Sequence, residues 1–289
     1  MKKQTRFFLT ILCMVFLCVF AFSGYKLYSI IHEYRLDQQK YNGLSGEFVT
    51  QTDKEKDPAQ TASPEEEGPR EVSPISVDFD ALMSQSQYVV GWLYSADTVI
   101  NYPVAQAEDN FYFLERYIDG SYNGCGSLFI DCACFSDFSG KNTVIYGHHM
   151  NDGSMFAAIS KQLTDEAQFN ACRYVYVLTP DCNYQCETFA LVITDGWDAL
   201  VETEFPSDDE RIAYIADKQE RSVVQPSEGM PDPASIEKMI TLSTCDYTKD
   251  NGRAVLFSQV VSTAVPGGSG GAAVDQADID SMRDAGEAV

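Results

Sequence analysis

The sequence predicts an all-β fold with short helices, its eight strands closed into one barrel behind an N-terminal transmembrane helix. Two observations carry this reading. Runs of apolar, β-branched and aromatic residues recur at 89–94, 99–102, 127–131, 142–148, 174–179, 188–194, 238–245 and 253–261. The connections between them are mostly short, which favours a closed barrel over a βαβ sheet. The second observation is one nearly uncharged apolar run at the N-terminus, from Phe7 to Tyr25.

The elements follow in order. Lys2, Lys3 and Arg6 precede the apolar run, which is close to the ~20 residues a membrane helix needs. Basic residues on its N-terminal side place the N-terminus inside and the rest of the chain outside. A cleaved signal peptide is the alternative, because Ala21 to Gly24 offers small residues at a cut site. The length of the run favours an uncleaved anchor over residues 1–25. The helix is expected to continue to about Arg35.

Residues 26–75 read as a linker. From 37 to 74 the chain mixes Gln, Thr, Asp, Glu and Pro, with Glu65 to Glu67 and Pro58, Pro64, Pro69 and Pro74. Few apolar groups are present to offset ordering entropy. A chain beginning near residue 75 is therefore expected to be soluble and active. The folded domain spans 76–262 and opens on a helix signal, Val77 to Met83, with Asp78 at its start. Residues 155–163 and 208–221 are also helical in pattern. The Gly-, Ala- and Asp-rich stretch 263–289 reads as a disordered tail.

Across its 289 residues the chain carries a formal charge of −23, which argues against nucleic acid, since phosphate binding requires a basic surface. Membrane contact is then expected through the helix alone. Outside the apolar run lie Cys125, Cys132, Cys134, Cys172, Cys182, Cys186 and Cys245. Their odd number leaves at least one thiol unpaired in an exported monomer. Asn183 to Gln185 reads as a hairpin loop that would bring Cys182 and Cys186 face to face, leaving a disulfide there open. Cys132 and Cys134 match no common zinc spacing, and no metal is expected.

Chemistry concentrates near the C-terminal end of the domain. Thr241-Leu-Ser-Thr-Cys245 closes one strand, and Arg253 opens the next after a turn containing Asp250-Asn-Gly252. A thiol beside a fixed cation suits acyl transfer: the cation stabilises a thiolate or the oxyanion formed when it attacks a carbonyl. The proton acceptor must come from His32, His148 or His149. His32 lies just past the apolar run, whereas the pair follows the strand Thr143 to Tyr146 and Gly147. Adjacent strand residues face opposite ways, so one imidazole of the pair addresses the thiol.

These motifs, with Tyr146-Gly-His148-His149-Met150-Asn-Asp-Gly-Ser-Met155-Phe156, resemble the class B sortases of Gram-positive bacteria. The likeness extends upstream through Val90-Gly-Trp92-Leu, Asn101-Tyr-Pro-Val104, Asp109-Asn110 and Gly126-Ser-Leu-Phe-Ile-Asp131. It covers roughly residues 76 to 262 and is weakest over 195–235. The resemblance implies a sortase-type β-barrel and a membrane-anchored cysteine transpeptidase without metal or organic cofactor. Its substrates would be the sorting-signal peptides of surface proteins. Its acceptor would be an amine of a peptidoglycan precursor or of a pilin lysine. By the same resemblance Cys245 is the nucleophile, His148 the general acid/base and Arg253 the oxyanion-stabilising or substrate-orienting group. Ser243 and Asn110 match positions that line the substrate groove, Thr244 is taken with them as substrate-binding, and His149 matches a variable position and reads as structural.

Two alternatives remain in view. A papain-like wall hydrolase would place its cysteine at a helix N-terminus and before the histidine, the reverse of the order here. A membrane-tethered binding module would leave Cys245 inert.

Overall fold

The computed structural model describes residues 2–52, 72–198, 201–248 and 250–266. Helix α1 (Lys2–Phe48) begins with the apolar segment, whose Phe8, Leu17 and Phe20 are 66%, 66% and 78% exposed. By length and composition this helix is able to cross a membrane. The expected linker departs from the sequence reading here. Residues 26–48 continue as helix, and Tyr41, Leu44 and Phe48 lie buried in the core. Their spacing of three and four residues puts them on one helix face. That stripe is sparse and interleaved with polar residues, which makes the segment look like solvated linker in sequence. The remainder of the linker, 53–71, lies outside the described residues.

Two short strands unforeseen in the sequence, β1 (Val49–Gln51) and β2 (Ile75–Val77), pair antiparallel and tie the end of α1 to the domain. Helix α2 (Phe79–Gln85) is capped by Asp78, whose carboxylate accepts from the Ala81 N–H at 3.0 Å. The barrel follows: β3 (Val89–Tyr94), β4 (Asn101–Ala105), β5 (Leu128–Ile130), β6 (Asn142–Tyr146), β7 (Tyr174–Leu178), β8 (Asn183–Asp195), β9 (Met239–Asp246) and β10 (Gly252–Ala264). It closes in the order β10-β8-β7-β3-β4-β5-β6-β9. Two neighbouring pairs, β4–β5 and β6–β9, are parallel, and parallel pairs require long crossovers. The crossover 106–127 between β4 and β5 carries a 3-10 turn, Tyr112–Leu114, that forms one wall of the site.

One continuous core takes in Trp92, Leu93, Leu128, Ile145, Leu242 and Leu256 of the strands together with Tyr41, Leu44 and Phe48 of α1. Outside, helix α5 (Asp208–Glu220), capped by Ser207, covers Phe189, Val255 and Phe257 with Ile215 and Tyr214. Residues 254–258 of β10 are thus buried on both faces, which accounts for the apolar run Ala254 to Phe257 in the sequence. Short helices α3 (Ala157–Lys161) and α4 (Glu166–Ala171) lie between β6 and β7. The hairpin loop expected at Asn183 to Gln185 is instead the start of β8. The turn lies before it, where the Thr179 hydroxyl accepts from Cys182 N–H at 2.9 Å. Cys182 and Cys186 are free thiols. Of the expected tail, residues 263 and 264 complete β10, and 267–289 lie outside the described residues.

The docked end of α1 changes the expectation for truncation. A chain beginning at residue 75 loses Tyr41, Leu44 and Phe48, each contributing about 2 kcal/mol by apolar burial. Its melting temperature should fall on the order of 10–20 °C below that of a chain beginning at residue 33. Equal melting temperatures in thermal denaturation would show that the docked turns add nothing to the fold.

Candidate active site

Strand β9 is paired on both sides, and the two registers assemble the site. On one side β6 runs parallel, with Tyr146 opposite Ser243. On the other β10 runs antiparallel, with Arg253 opposite Cys245. Side chains alternate across a strand, so Ser243, Cys245 and Arg253 share one face, the outer one. The Gly147 N–H donates to the Ser243 carbonyl at 3.2 Å, extending the β6–β9 ladder and bringing the next residue, His148, level with Cys245. Cys245, His148 and Arg253 are all half-buried.

The imidazole of His148 is held by a group the sequence does not show. Its Nε2 lies 2.6 Å from the Leu114 carbonyl oxygen on the crossover. A carbonyl only accepts, so Nε2 carries a proton in this bond and Nδ1 is the ring nitrogen left for proton exchange. His149 turns the other way and is buried. Its Nδ1 lies 3.0 Å from the Cys245 carbonyl oxygen and 2.8 Å from the Ser160 hydroxyl. Its ring packs 4.8 Å from that of Tyr247. These contacts brace the backbone that carries the thiol.

Arg253 donates from Nη1 to the Gly252 carbonyl at 2.9 Å. The nearby carboxylate of Asp198 is taken by Arg221, whose hydrogen bond holds it below the usual carboxylate range. The Arg253 guanidinium therefore faces a groove of about 230 Å³ lined by Tyr146, Ser243 and Val255 of the barrel, by Asp195 at the end of β8 and by Gly196 and Val201 beyond it. A second cavity of about 610 Å³ opens on the other side of His148, against Asp109, Leu114, Glu115 and Tyr122.

The three remaining candidates fall differently. Ser243 lines the Arg253 groove. Thr244 pairs with Ala254, is buried and sits on the opposite face of β9, so the structure does not bring it to the groove. Its parity along the strand decides this. Asn110 is committed at both ends of its amide: Nδ2 donates to Asp131 at 2.9 Å and Oδ1 accepts from Cys132 N–H at 2.8 Å. Asp131 in turn accepts from the Tyr146 hydroxyl at 2.9 Å. Burial, reinforced by the Asp131 charge, pushes that hydroxyl well above the ordinary tyrosine range and keeps it a donor. Asn110 thus supports the groove wall from behind.

A closed mixed barrel that presents a cysteine beside an arginine and a histidine on its outer face has the architecture of a cysteine acyl-transfer enzyme. No family model matches the chain. Sortase B of Listeria monocytogenes is 32% identical over 255 residues, spanning 87% of this chain and 96% of the relative. Sortase B from Bacillus anthracis in complex with AAEK1 superposes with a TM-score of 0.64 at 30% identity, covering 80% of this chain and 99% of that one. Sortase B of Clostridium perfringens gives 0.60 at 25% identity over 64% of this chain and 100% of that chain. The chain belongs to the sortase B family and is a cysteine transpeptidase.

Gly196 deserves a direct test because its missing side chain makes room for Arg253. A Cβ there would lie 3.0 Å from the Arg253 Cζ and 2.8 Å from the Asn251 Nδ2, while its N–H donates to the Asn251 carbonyl at 2.7 Å. Gly196→Ala should displace the guanidinium and lower kcat/KM by about 10-fold without unfolding the barrel, since ångström-scale misplacement carries penalties of this order or larger. Wild-type steady-state kinetics in the alanine variant would show that Arg253 needs no such clearance.

Proposed function

We propose that this transpeptidase is held at the cell membrane by residues 7–25, with its catalytic domain, residues 76–262, outside. There it joins surface proteins to an amine of the cell wall or of a pilin. The Cys245 thiolate attacks a backbone carbonyl of an extended sorting-signal peptide, and Arg253 donates to the oxygen as it becomes an oxyanion. The tetrahedral intermediate collapses, the C–N bond breaks, and the departing amine takes a proton from His148. A thioester to Cys245 results. The acceptor amine attacks this thioester, yields a proton to His148, and the thiolate leaves as the new amide forms. Ser243 and Tyr146 bound the peptide on the Arg253 side.

The observation that carries the reading is the double register of β9: Arg253 opposite Cys245, and Tyr146 opposite Ser243 just before His148. A papain-like hydrolase is disfavoured because Cys245 lies on a strand rather than at a helix N-terminus. A binding module would have no use for a half-buried thiol beside an arginine that faces an open groove.

Three substitutions in a sorting-peptide cleavage assay test this. Cys245→Ala should abolish both turnover and the covalent intermediate. His148→Ala should lose about 10²–10⁴-fold in rate, the usual contribution of general acid–base catalysis. His149→Ala should lose far less rate but some thermal stability, because its contacts are structural. The reverse ranking of the histidines would exchange their roles.

Arg253→Lys keeps the charge but not the planar fork of donors. Its single-turnover acylation should slow about 100- to 1000-fold. Near-normal acylation by the lysine variant would reduce Arg253 to a general electrostatic role. For the topology, protease added outside intact cells should digest the domain while residues 1–25 stay with the membrane fraction. A mature N-terminus near Gly24 would instead establish a signal peptide.

A further inference from the structure

The docked end of α1 does more than cover the barrel. Tyr41 is 2% exposed, and its hydroxyl reaches across 85 residues of sequence to donate to the Gly126 carbonyl, with the Ser127 hydroxyl 3.1 Å away. Gly126 and Ser127 end the crossover that holds the His148 imidazole and are clamped back onto its earlier turn. The Ser127 N–H donates to the Phe113 carbonyl at 3.0 Å, and its hydroxyl donates to the Arg116 carbonyl at 2.9 Å. Gly126 has a φ of +60°, and a Cβ there would meet the Phe113 and Leu114 carbonyl oxygens at 2.6 Å each. Between those anchor points sits Leu114, whose carbonyl oxygen fixes His148 Nε2.

A second route leads from the same side chain. The Tyr41 ring meets Tyr102 edge-on at 5.3 Å. The Tyr102 hydroxyl accepts from the Met155 N–H at 3.2 Å, and Met155 forms a bridge with His149. The neighbouring Phe156 N–H donates to the His148 carbonyl at 2.9 Å. One buried tyrosine is therefore linked to the supports of His148 from both sides: through Gly126 and Ser127 to the turn whose carbonyl orients its ring, and through Tyr102 to the segment that pins its backbone.

We propose that Tyr41 is a positioning residue for the His148 imidazole, so that the helix leaving the apolar segment is part of the catalytic machinery rather than a tether. The proposal rests on the reading of His148 as the general acid/base. Its physical basis is that Leu114 lies on an irregular crossover, whose backbone has no sheet ladder to hold it, and a hydrogen-bonded clamp supplies what the ladder does not. Docking of residues 37–48 sets the geometry of that clamp. The same rigid rod continues into the apolar segment, so attachment and alignment of the imidazole depend on one element.

The test uses the full chain in detergent micelles, labelled with ¹⁵N-histidine, and compares wild type with Tyr41→Phe, which keeps the ring and removes the hydroxyl. Signals of His148 are assigned by their loss in His148→Ala. The Tyr41→Phe variant should shift or broaden the His148 ring signals and lower kcat on the order of 10-fold, with KM within about twofold of wild type by this scale of misplacement. Its melting temperature should change by only a few degrees, the effect of one lost hydrogen bond.

Unchanged His148 ring signals would overturn the proposal whatever the turnover. Shifted signals with unchanged kcat in a His148-dependent enzyme would also overturn it as a device of the reaction. Shifted signals together with full turnover in His148→Ala would uphold the positioning and remove His148 from catalysis, so the two failures are distinguishable. If Tyr41→Phe does not fold, Ser127→Ala cuts the same route at its Arg116 end with α1 still docked, and the same outcomes apply.

Discussion

The structure turns on the two-sided pairing of strand β9. A strand presents every second side chain to one face, so a neighbour's register decides which of its residues meet which. Parallel pairing with β6 and antiparallel pairing with β10 bring residues 146, 243 and 253 into adjacent rows, with Cys245 between His148 and Arg253. A slip of one residue in either ladder would turn the thiol or its partner to the interior. The apolar inner face of these strands, Ile145, Leu242, Ala254 and Leu256, opposes that slip because it would drive those side chains outward.

Closing such a barrel with a parallel β6–β9 pair requires a long excursion between the two strands, and the enzyme puts that chain to use. The excursion contributes β7 and β8 to the barrel, then returns through 201–207 and α5, whose apolar face seals the outer surface below the groove. The other parallel pair, β4–β5, needs the crossover 106–127, which supplies the Leu114 carbonyl to His148. Both walls of the site are thus connections that the parallel pairs make necessary. Each is tied back by polar contacts: Asn142 donates to the Glu202 carbonyl on one side, and Ser127 to the Arg116 carbonyl on the other.

Helix α1 joins this arrangement from outside the barrel. Asn101 donates to the Ser45 hydroxyl at 2.7 Å and accepts from the Trp92 indole at 2.8 Å, linking the helix to the strands β3 and β4. An apolar helix that ends in a docked, hydrogen-bonded turn restrains the domain far more than a flexible chain does. That constraint was hidden in the sequence because Tyr41, Leu44 and Phe48 are only three apolar positions in a stretch that opens with Asp37, Gln38, Gln39 and Lys40 and continues through Asn42, Ser45 and Glu47. Their burial depends on a surface that exists only once the barrel has closed.

Much of the barrel was legible because its strands announce themselves. Val89–Tyr94 and Asn142–Tyr146 are dense in branched and aromatic residues, and Arg253 follows Cys245 through a turn short enough to make their pairing a local matter. By itself, the sequence determined the strand-rich domain, the apolar N-terminal helix, and the chemistry available in Cys245, Arg253 and the two histidines. Only the tertiary structure decided which face each residue takes and what holds it there. It turned Thr244 inward and His149 onto the Cys245 carbonyl, set Asn110 behind Tyr146, and brought the Leu114 carbonyl to His148. The physical reason is range: periodicity and turns are encoded within a few residues, whereas the β6–β9 register and a backbone carbonyl's partner arise between segments brought together by the closure of the barrel.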